Sequence, residues 1–303
     1  MVLVITGPTG VGKTDIGVIL ARKFDLDIIS ADSRQVYRYL DIGTAKPSLE
    51  LRREIKFHMI DCVAPAQEYS AADFARDALK IMRELRAKGR GFIVVGGAGF
   101  YLRALFQPFF EVPRANKEIR AKLQAESTEK LYARLQQIDP KRANQLHPND
   151  RQRIMRSLEV YELTGRTFSE LTRTDSKTVE FLPFYVVLDT PRVILYQRIE
   201  KRFDEMMAAG FLDEVKRLQA QGWDKTSTVA NTYGYSELLG YLNGSLSLDE
   251  AVKLAKRKTK DYARRQLTWL RSLKQAIWMD ASNVDDTVRR IEMILLDLLA
   301  DKF

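Results

Sequence analysis

The chain has 303 residues, 45% of them hydrophobic, enough for one large or two medium globular domains. No apolar run nears the roughly 20 residues that a membrane span requires, and a single cysteine, Cys62, excludes an internal disulfide and a cysteine-based zinc site. The net charge is +9, the sign expected of a protein that meets a polyanion. One cysteine suits a reducing compartment, and a strand expected from the second residue leaves no room for a secretion signal, so a cytoplasmic location is expected. Cys62 itself is read as a small buried hydrophobe.

The chain begins with Val2-Leu3-Val4-Ile5-Thr6, the pattern of a buried strand, followed at once by Gly7, Pro8, Thr9, Gly10, Val11, Gly12, Lys13 and Thr14. This G-x-x-x-x-G-K-T spacing is that of a phosphate-binding loop. The glycines let backbone N–H groups turn around phosphate oxygens, and Lys13 adds a point charge. Thr14 can offer its hydroxyl to Mg²⁺, and a helix over 15–24 aims its positive end at the ligand. The loop specifies an anion without saying which one.

A strand over 27–30 follows and runs into Ala31-Asp32-Ser33-Arg34-Gln35-Val36-Tyr37. Asp32 thus stands at the carboxyl end of a parallel strand beside the loop, where open α/β sheets bind ligands. Three roles are open to it: a magnesium ligand, a cap for the next helix, or a general base for an incoming nucleophile. A helix over 71–87 leads to a strand over 92–95 and then to Gly96-Gly97-Ala98-Gly99. That turn reads either as a wall of a substrate channel, with Phe100, Tyr101 and Leu102 offering apolar surface, or as close packing of helix on sheet.

From 112 to 183 the periodicity is helical, with Asp139-Pro140 and His147-Pro148-Asn149-Asp150 as internal turn and cap signals. Strand pattern returns at 184–189, so this segment reads as an insertion into one sheet and is expected to move as a lid. Helices follow over 192–208, 212–221, 236–242 and 248–274, then a short strand over 277–279 and a helix over 288–300. The expected fold is α/β, a P-loop NTPase-like parallel sheet flanked by helices. Residues 1–111 and 184–303 form its catalytic core, and 112–183 form an all-helical insertion domain.

Between Lys253 and Lys274 nine Lys or Arg stand against one acid, Asp261, and residues 114–173 carry thirteen cations against eight acids. Two basic surfaces near a phosphate loop point to a nucleic acid partner as well as a small phosphate. His58 and His147 lack metal-ligand spacing and are read as packing and capping residues. Trp223, Trp269 and Trp278 are read as core or domain-packing residues.

Several runs are more specific than the loop. Gly7-Pro8-Thr9 through Thr14, Ala31 through Tyr37, Asp41-Ile42-Gly43-Thr44-Ala45-Lys46-Pro47, Tyr69-Ser70-Ala71-Ala72-Asp73-Phe74, Tyr101-Leu102-Arg103-Ala104-Leu105, Asn149-Asp150-Arg151-Gln152-Arg153 with Arg156-Ser157-Leu158-Glu159-Val160, Gly234-Tyr235 and Arg265-Gln266-Leu267-Thr268-Trp269 together resemble the bacterial tRNA dimethylallyltransferases, the IPP transferase family, over nearly the whole chain. The resemblance implies transfer of a dimethylallyl group from dimethylallyl diphosphate to N6 of the adenosine at position 37, in tRNAs reading codons that begin with U. On that resemblance residues 7–14 cradle the donor diphosphate with Mg²⁺ on Thr14. Lys13, Thr14 and Arg202 act on the leaving group, and Asp32 takes the N6 proton. The tRNA anticodon stem-loop would meet Asp32, Ser33, Arg34, Gln35, Arg120, Gln152, Arg153, Ile154, Met155, Arg156, Asn231, Thr232, Tyr233, Gly234, Tyr235 and Ser236. The resemblance also implies a monomer. This chain departs from the family at Ala98, where threonine is usual, and in Asn231-Thr232-Tyr233 before Gly-Tyr.

Two other enzymes would share the loop and the Asp32 position. A P-loop small-molecule kinase has no use for the basic helix, and an adenylate isopentenyltransferase acting on free AMP or ADP has no use for the arginine-rich insertion. A non-enzymatic, nucleotide-regulated RNA-binding module would not depend on Asp32.

Overall fold

Every residue of β1 (Val2–Thr6) is buried, as a run of aliphatic and β-branched side chains requires of a strand covered on both faces. The computed structural model describes residues 1–107, 113, 116–174 and 179–300. Its sheet is completed by β2 (Asp27–Ser30), β3 (Phe57–His58), β4 (Phe92–Val95), β5 (Pro183–Asp189) and β6 (Ile277–Asp280). All pairings are parallel, in the order β3-β2-β4-β1-β5-β6.

The first four helices are α1 (Lys13–Phe24), α2 (Leu49–Glu54), α3 (Ala71–Ala87) and α4 (Gly99–Phe106). Next come α5 (Lys117–Gln124), α6 (Thr128–Ile138), α7 (Pro140–Ala143), α8 (Arg151–Thr164) and α9 (Phe168–Thr174). They are followed by α10 (Arg192–Ala208), α11 (Phe211–Ala220), α12 (Ser227–Ala230), α13 (Tyr235–Leu242), α14 (Leu248–Leu270) and α15 (Val284–Ala300). Alternation along β1 separates two cores. Val2 and Val4 pack with Phe74, Met82, Leu102 and Tyr235, whereas Leu3 and Ile5 pack with Ile16, Leu20, Leu195 and Ile291.

The chain divides into two compact units, Met1–Phe106 with Phe181–Phe303, and Gln107–Glu180. The junction expected at 111–112 lies outside the described residues. The other falls at 180–181 instead of 183–184, because Phe181 is a core residue, edge-on to Phe92 and under the Arg86 guanidinium. Most other differences from the expected elements are at ends. Helix α1 begins at Lys13 because Gly12, with φ of 98°, is itself the cap. Helix α14 stops at Leu270, where the Ser272 hydroxyl donates to the Trp269 carbonyl. The two-residue β3 is too short to leave a periodic signal.

The second unit has its own core of Leu123, Leu131, Leu135, Ala143, Leu146, Ile154 and Leu158. Arg151 staples it by donating to the carbonyls of Leu123, Gln124 and Glu126 and to the Thr128 hydroxyl. Glu159, fully buried on α8, accepts from the Asn116 amide at 2.8 Å, from Arg120 at 3.1 Å and from Arg156 at 2.7 Å. A carboxylate so buried is stable only with such partners.

The loop after β2 is held by another buried carboxylate. Glu214 on α11, 2% exposed, accepts from the amides of Asp41, Ile42 and Gly43 at 3.1, 2.8 and 3.2 Å and from the Tyr235 hydroxyl at 2.6 Å. Glu214→Ala orphans three amides and a phenol in the core. It is expected to lower unfolding stability in urea by roughly 2–4 kcal/mol. A loss below about 1 kcal/mol would show that water or a shifted loop replaces the carboxylate.

Candidate active site

The phosphate loop rises from the carboxyl end of β1. Gly12 caps α1 with no side-chain hydrogen bond, so the first-turn amides are left for an anion. Lys13 leans over the loop and donates from Nζ to the Pro8 carbonyl at 2.8 Å. Val11, deep in the loop, is buried, and its carbonyl accepts from Arg198 at 3.4 Å. Arg202, from α10, donates to the Thr9 hydroxyl at 2.8 Å, which brings a second cation to the loop from a distant part of the chain. It does not pair with Asp204, which holds Lys256 instead.

Burial, and then the like charge of Arg202, push Lys13 down to about 8, while Asp32 opposes them. Burial likewise pulls Arg202 below its ordinary value, with Asp32 again opposing. Asp32 thus acts electrostatically on both cations. Its Oδ1 accepts from the amides of Arg34 at 2.8 Å and Gln35 at 3.2 Å, fixing the turn after β2. Asp32 caps that turn, and no helix follows it directly. The other carboxylate oxygen takes no hydrogen bond among the described residues.

Gln266 on α14 locks the loop from above. Its buried amide accepts from the Thr9 N–H at 2.8 Å and donates to the Gly97 carbonyl at 2.9 Å. A Cβ at Gly97 would come within 2.5 Å of that amide, and one at Gly99 within 2.7 Å of the Trp269 ring. Close packing against α14 therefore accounts for the glycine turn. Tyr101 and Leu102 are core residues, and only Phe100 offers apolar surface. Ala98 is buried. Sequence reasoning did not single out Gln266 or Glu214 as site-forming, since each is one polar residue in an amphipathic helix. Beyond Arg202 a cavity of about 710 Å³ opens between residues 38–49 and the end of α10, with Tyr39, Lys46, Arg52 and Met206 in its wall.

The residues expected to meet RNA divide by exposure. Ser33 and Arg34 lie on the turn beside Asp32, and the Arg34 guanidinium reaches the Asn231 carbonyl at 3.5 Å. Asn231 and Tyr233 are exposed, and the partly buried Ser236 donates to Glu237 at 2.7 Å. Gln35, Thr232, Gly234 and Tyr235 are buried. Gln35 accepts from Ser30 and donates to the carbonyls of Thr44 and Ala45, Thr232 donates to Thr228, and Tyr235 serves Glu214. In the second unit Gln152 and Arg153 are exposed on α8, whereas Ile154 is fully buried in that unit's core. Met155 packs beside it, and Arg120 and Arg156 are tied to Glu159.

Three surface expectations change as well. Cys62 is exposed, not buried, and its thiol is pushed up by desolvation and by Asp61 and Asp77. Trp278 is exposed on the edge strand β6, whereas Trp223 packs against Tyr39 with ring centres 4.6 Å apart and a tilt of 31°. The basic stripe is compensated in part: four of its nine cations, Lys256, Lys258, Lys260 and Arg264, pair with Asp204, Glu237, Glu200 and Asp261. His58 pairs with the buried Asp27 at 2.7 Å, and His147 accepts from the Asn149 amide at 3.2 Å, a packing and a capping role.

No group of three or more His, Cys, Asp or Glu among the described residues could hold a metal ion. What suits Mg²⁺ is Thr14, whose hydroxyl at the start of α1 has no hydrogen-bond partner among the described residues. Mg²⁺ commonly takes one or two protein oxygens and completes its shell with substrate phosphates and water, so this donor set fits a metal that arrives with a phosphate ligand. No described helix is long and apolar enough to cross a membrane.

This loop, with Asp32, Arg202 and Gln266 around it, sits in a chain whose residues 35–273 match the family model described as IPP transferase. A tRNA dimethylallyltransferase of Pelotomaculum thermopropionicum is 44% identical over 94% of this chain and 92% of its own length. That of Thermotoga maritima is 40% identical over 100% and 99%. The solved full-length tRNA isopentenylpyrophosphate transferase of Bacillus halodurans aligns with a TM-score of 0.74 at 34% identity, covering 99% of this chain and 97% of that one. A eukaryotic dimethylallyltransferase acting on tRNA aligns with a TM-score of 0.85 at 29% identity, covering 99% and 79%. With a matched family model over most of its length and relatives aligned nearly end to end, the chain belongs to the IPP transferase family.

Proposed function

We propose that this protein transfers the dimethylallyl group of dimethylallyl diphosphate to N6 of adenosine 37, next to the anticodon, in tRNAs that read codons beginning with U. The products are N6-isopentenyladenosine and diphosphate. The observation that carries this reading is the grouping, at the carboxyl ends of β1 and β2, of a phosphate loop, two desolvated cations and a carboxylate that acts on both of them. The tRNA dimethylallyltransferases aligned along the chain support it.

In the reaction the C1–O bond of the donor breaks while a bond forms between N6 and C1. Negative charge then moves onto the diphosphate oxygens, where Lys13, Arg202 and the open amides of α1 stabilise it. The adenine N6 lone pair is delocalised into the ring, which makes the amine a poor nucleophile. Asp32 accepts the N6 proton as the bond forms, so no cationic amine is left on the product. Thr14 would hold a Mg²⁺ ion that arrives with the donor, and that ion would supply Lewis-acid stabilisation of the leaving diphosphate. The adenine must leave the anticodon stack to reach Asp32, and basic groups on the enzyme compensate for the lost stacking.

Purified protein incubated with labelled dimethylallyl diphosphate, Mg²⁺ and unmodified tRNA is expected to place label in the tRNA, and not in AMP or ATP supplied as alternative acceptors. Label in AMP alone would overturn the proposal. Asp32→Asn keeps the size of the side chain and removes the base. It is expected to lower kcat by about 10²–10⁴ while leaving the Kd for tRNA within about twofold. Equal loss in both would reassign Asp32 to RNA binding.

Lys13 gives a pH signature. Free Lys13, at about 8, is mostly neutral at pH 8.5, and an anion placed against it restores the proton. Binding of dimethylallyl diphosphate at pH 8.5 should therefore take up protons, and at pH 6.5 the uptake should vanish because the lysine is already charged. Calorimetry in two buffers of different ionisation enthalpy measures this, and equal, zero uptake at both pH values would remove Lys13 from the diphosphate. Arg153, with 66% of its side chain exposed, has a 3.5 Å ion pair with Asp150 and is open to a phosphate. Arg153→Glu should raise KM for tRNA about 3–10-fold and flatten the salt dependence by about one phosphate contact, with kcat unchanged.

A further inference from the structure

Tyr233, an exposed aromatic residue on the segment joining α12 to α13, does no work in the chemistry above. The residue is 38% exposed, yet its ring is held from two sides. Tyr262 on α14 lies at 5.8 Å between ring centres, tilted by 49°. Arg265, one position short of a full turn further along α14, donates to the Tyr233 hydroxyl at 2.8 Å with its guanidinium carbon 5.7 Å from the ring centre. Arg265 thus grips the ring by its hydroxyl rim and leaves aromatic surface uncovered.

This cluster adjoins the reacting groups. Asp32 and Arg34 both act electrostatically on the Tyr262 hydroxyl, and Arg34 reaches the carbonyl of Asn231, two residues before Tyr233. The loop carrying Tyr233 is fixed beneath by Glu237, which accepts from the Gly234 amide at 2.7 Å and from Lys258 at 2.6 Å. An exposed aromatic ring held by a neighbouring arginine, with a second arginine reaching the same segment, suits an unstacked nucleobase, since stacking acts on any base while the cations meet its backbone.

We propose that Tyr233, propped by Tyr262 and clamped by Arg265, is the stacking platform for the base that flanks the flipped adenosine in the RNA substrate. Tyr233 is then a positioning residue: it replaces the stacking partner that the neighbouring base loses when the adenosine leaves the loop. The inference rests on the prenyl-transfer reading for the identity of the RNA, although its binding test does not require turnover.

The test uses the full-length protein and anticodon stem-loop RNAs carrying 2-aminopurine on either the 5′ or the 3′ side of the target adenosine. Wild type and Tyr233→Phe should quench one of the two probes on binding, whereas Tyr233→Ala should leave both unquenched. Tyr233→Ala is also expected to raise KM for the RNA roughly tenfold, with kcat at saturating RNA and donor Kd unchanged. Tyr233→Phe, which keeps the ring and loses the Arg265 hydrogen bond, should fall between the two. Quenching and KM in Tyr233→Ala equal to wild type would overturn the platform. Quenching that follows the tyrosine without any label transfer by wild type would instead overturn the assigned reaction and keep the platform.

Discussion

The amide of Gln266 is the constraint on which the site depends. It meets the phosphate loop at the Thr9 N–H and the glycine turn after β4 at the Gly97 carbonyl, so a helix late in the chain fixes the loop that opens it. A buried amide can satisfy both partners only in one orientation, which sets the rotation of α14. That rotation brings Trp269 onto Gly99, Arg265 to Tyr233 and Tyr262 toward Asp32. Three positions of the run Arg265-Gln266-Leu267-Thr268-Trp269 are thereby accounted for: Gln266 at the loop and the turn, Trp269 on Gly99 and Arg265 on the exposed ring.

How much of this was legible in the sequence depended on range. The loop, Asp32 at the end of β2, and the helices over 71–87 and 192–208 follow from local pattern and form as the pattern requires. Sequence alone could not see that Gln35, Thr232 and Tyr235 turn inward, because a polar or aromatic residue near a functional run looks the same whether it meets a ligand or a buried partner. Glu214 and Glu159 were illegible for a related reason. Each is one acid on an amphipathic helix, and its importance comes from partners distant in sequence, residues 41–43 and 235 for the one and 116 and 120 for the other.

The charge pattern was legible in sign and misleading in magnitude. Counting Lys and Arg along α14 suggested an unopposed stripe, but α10 and α13 face it with Glu200, Asp204 and Glu237. Glu237 is buried, whereas the side chains of Asp204 and Glu200 are exposed to solvent, and ion pairs of the exposed kind add little to stability.

The buried Glu159 has a consequence for binding thermodynamics. Arg120 and Arg156 share its one negative charge, so the cluster keeps a net positive charge, and both guanidiniums are already immobilised. A long side chain that is ordered before its ligand arrives forfeits little rotameric freedom on contact. Association through this pair should thus show a smaller entropic penalty than through mobile lysines of equal charge.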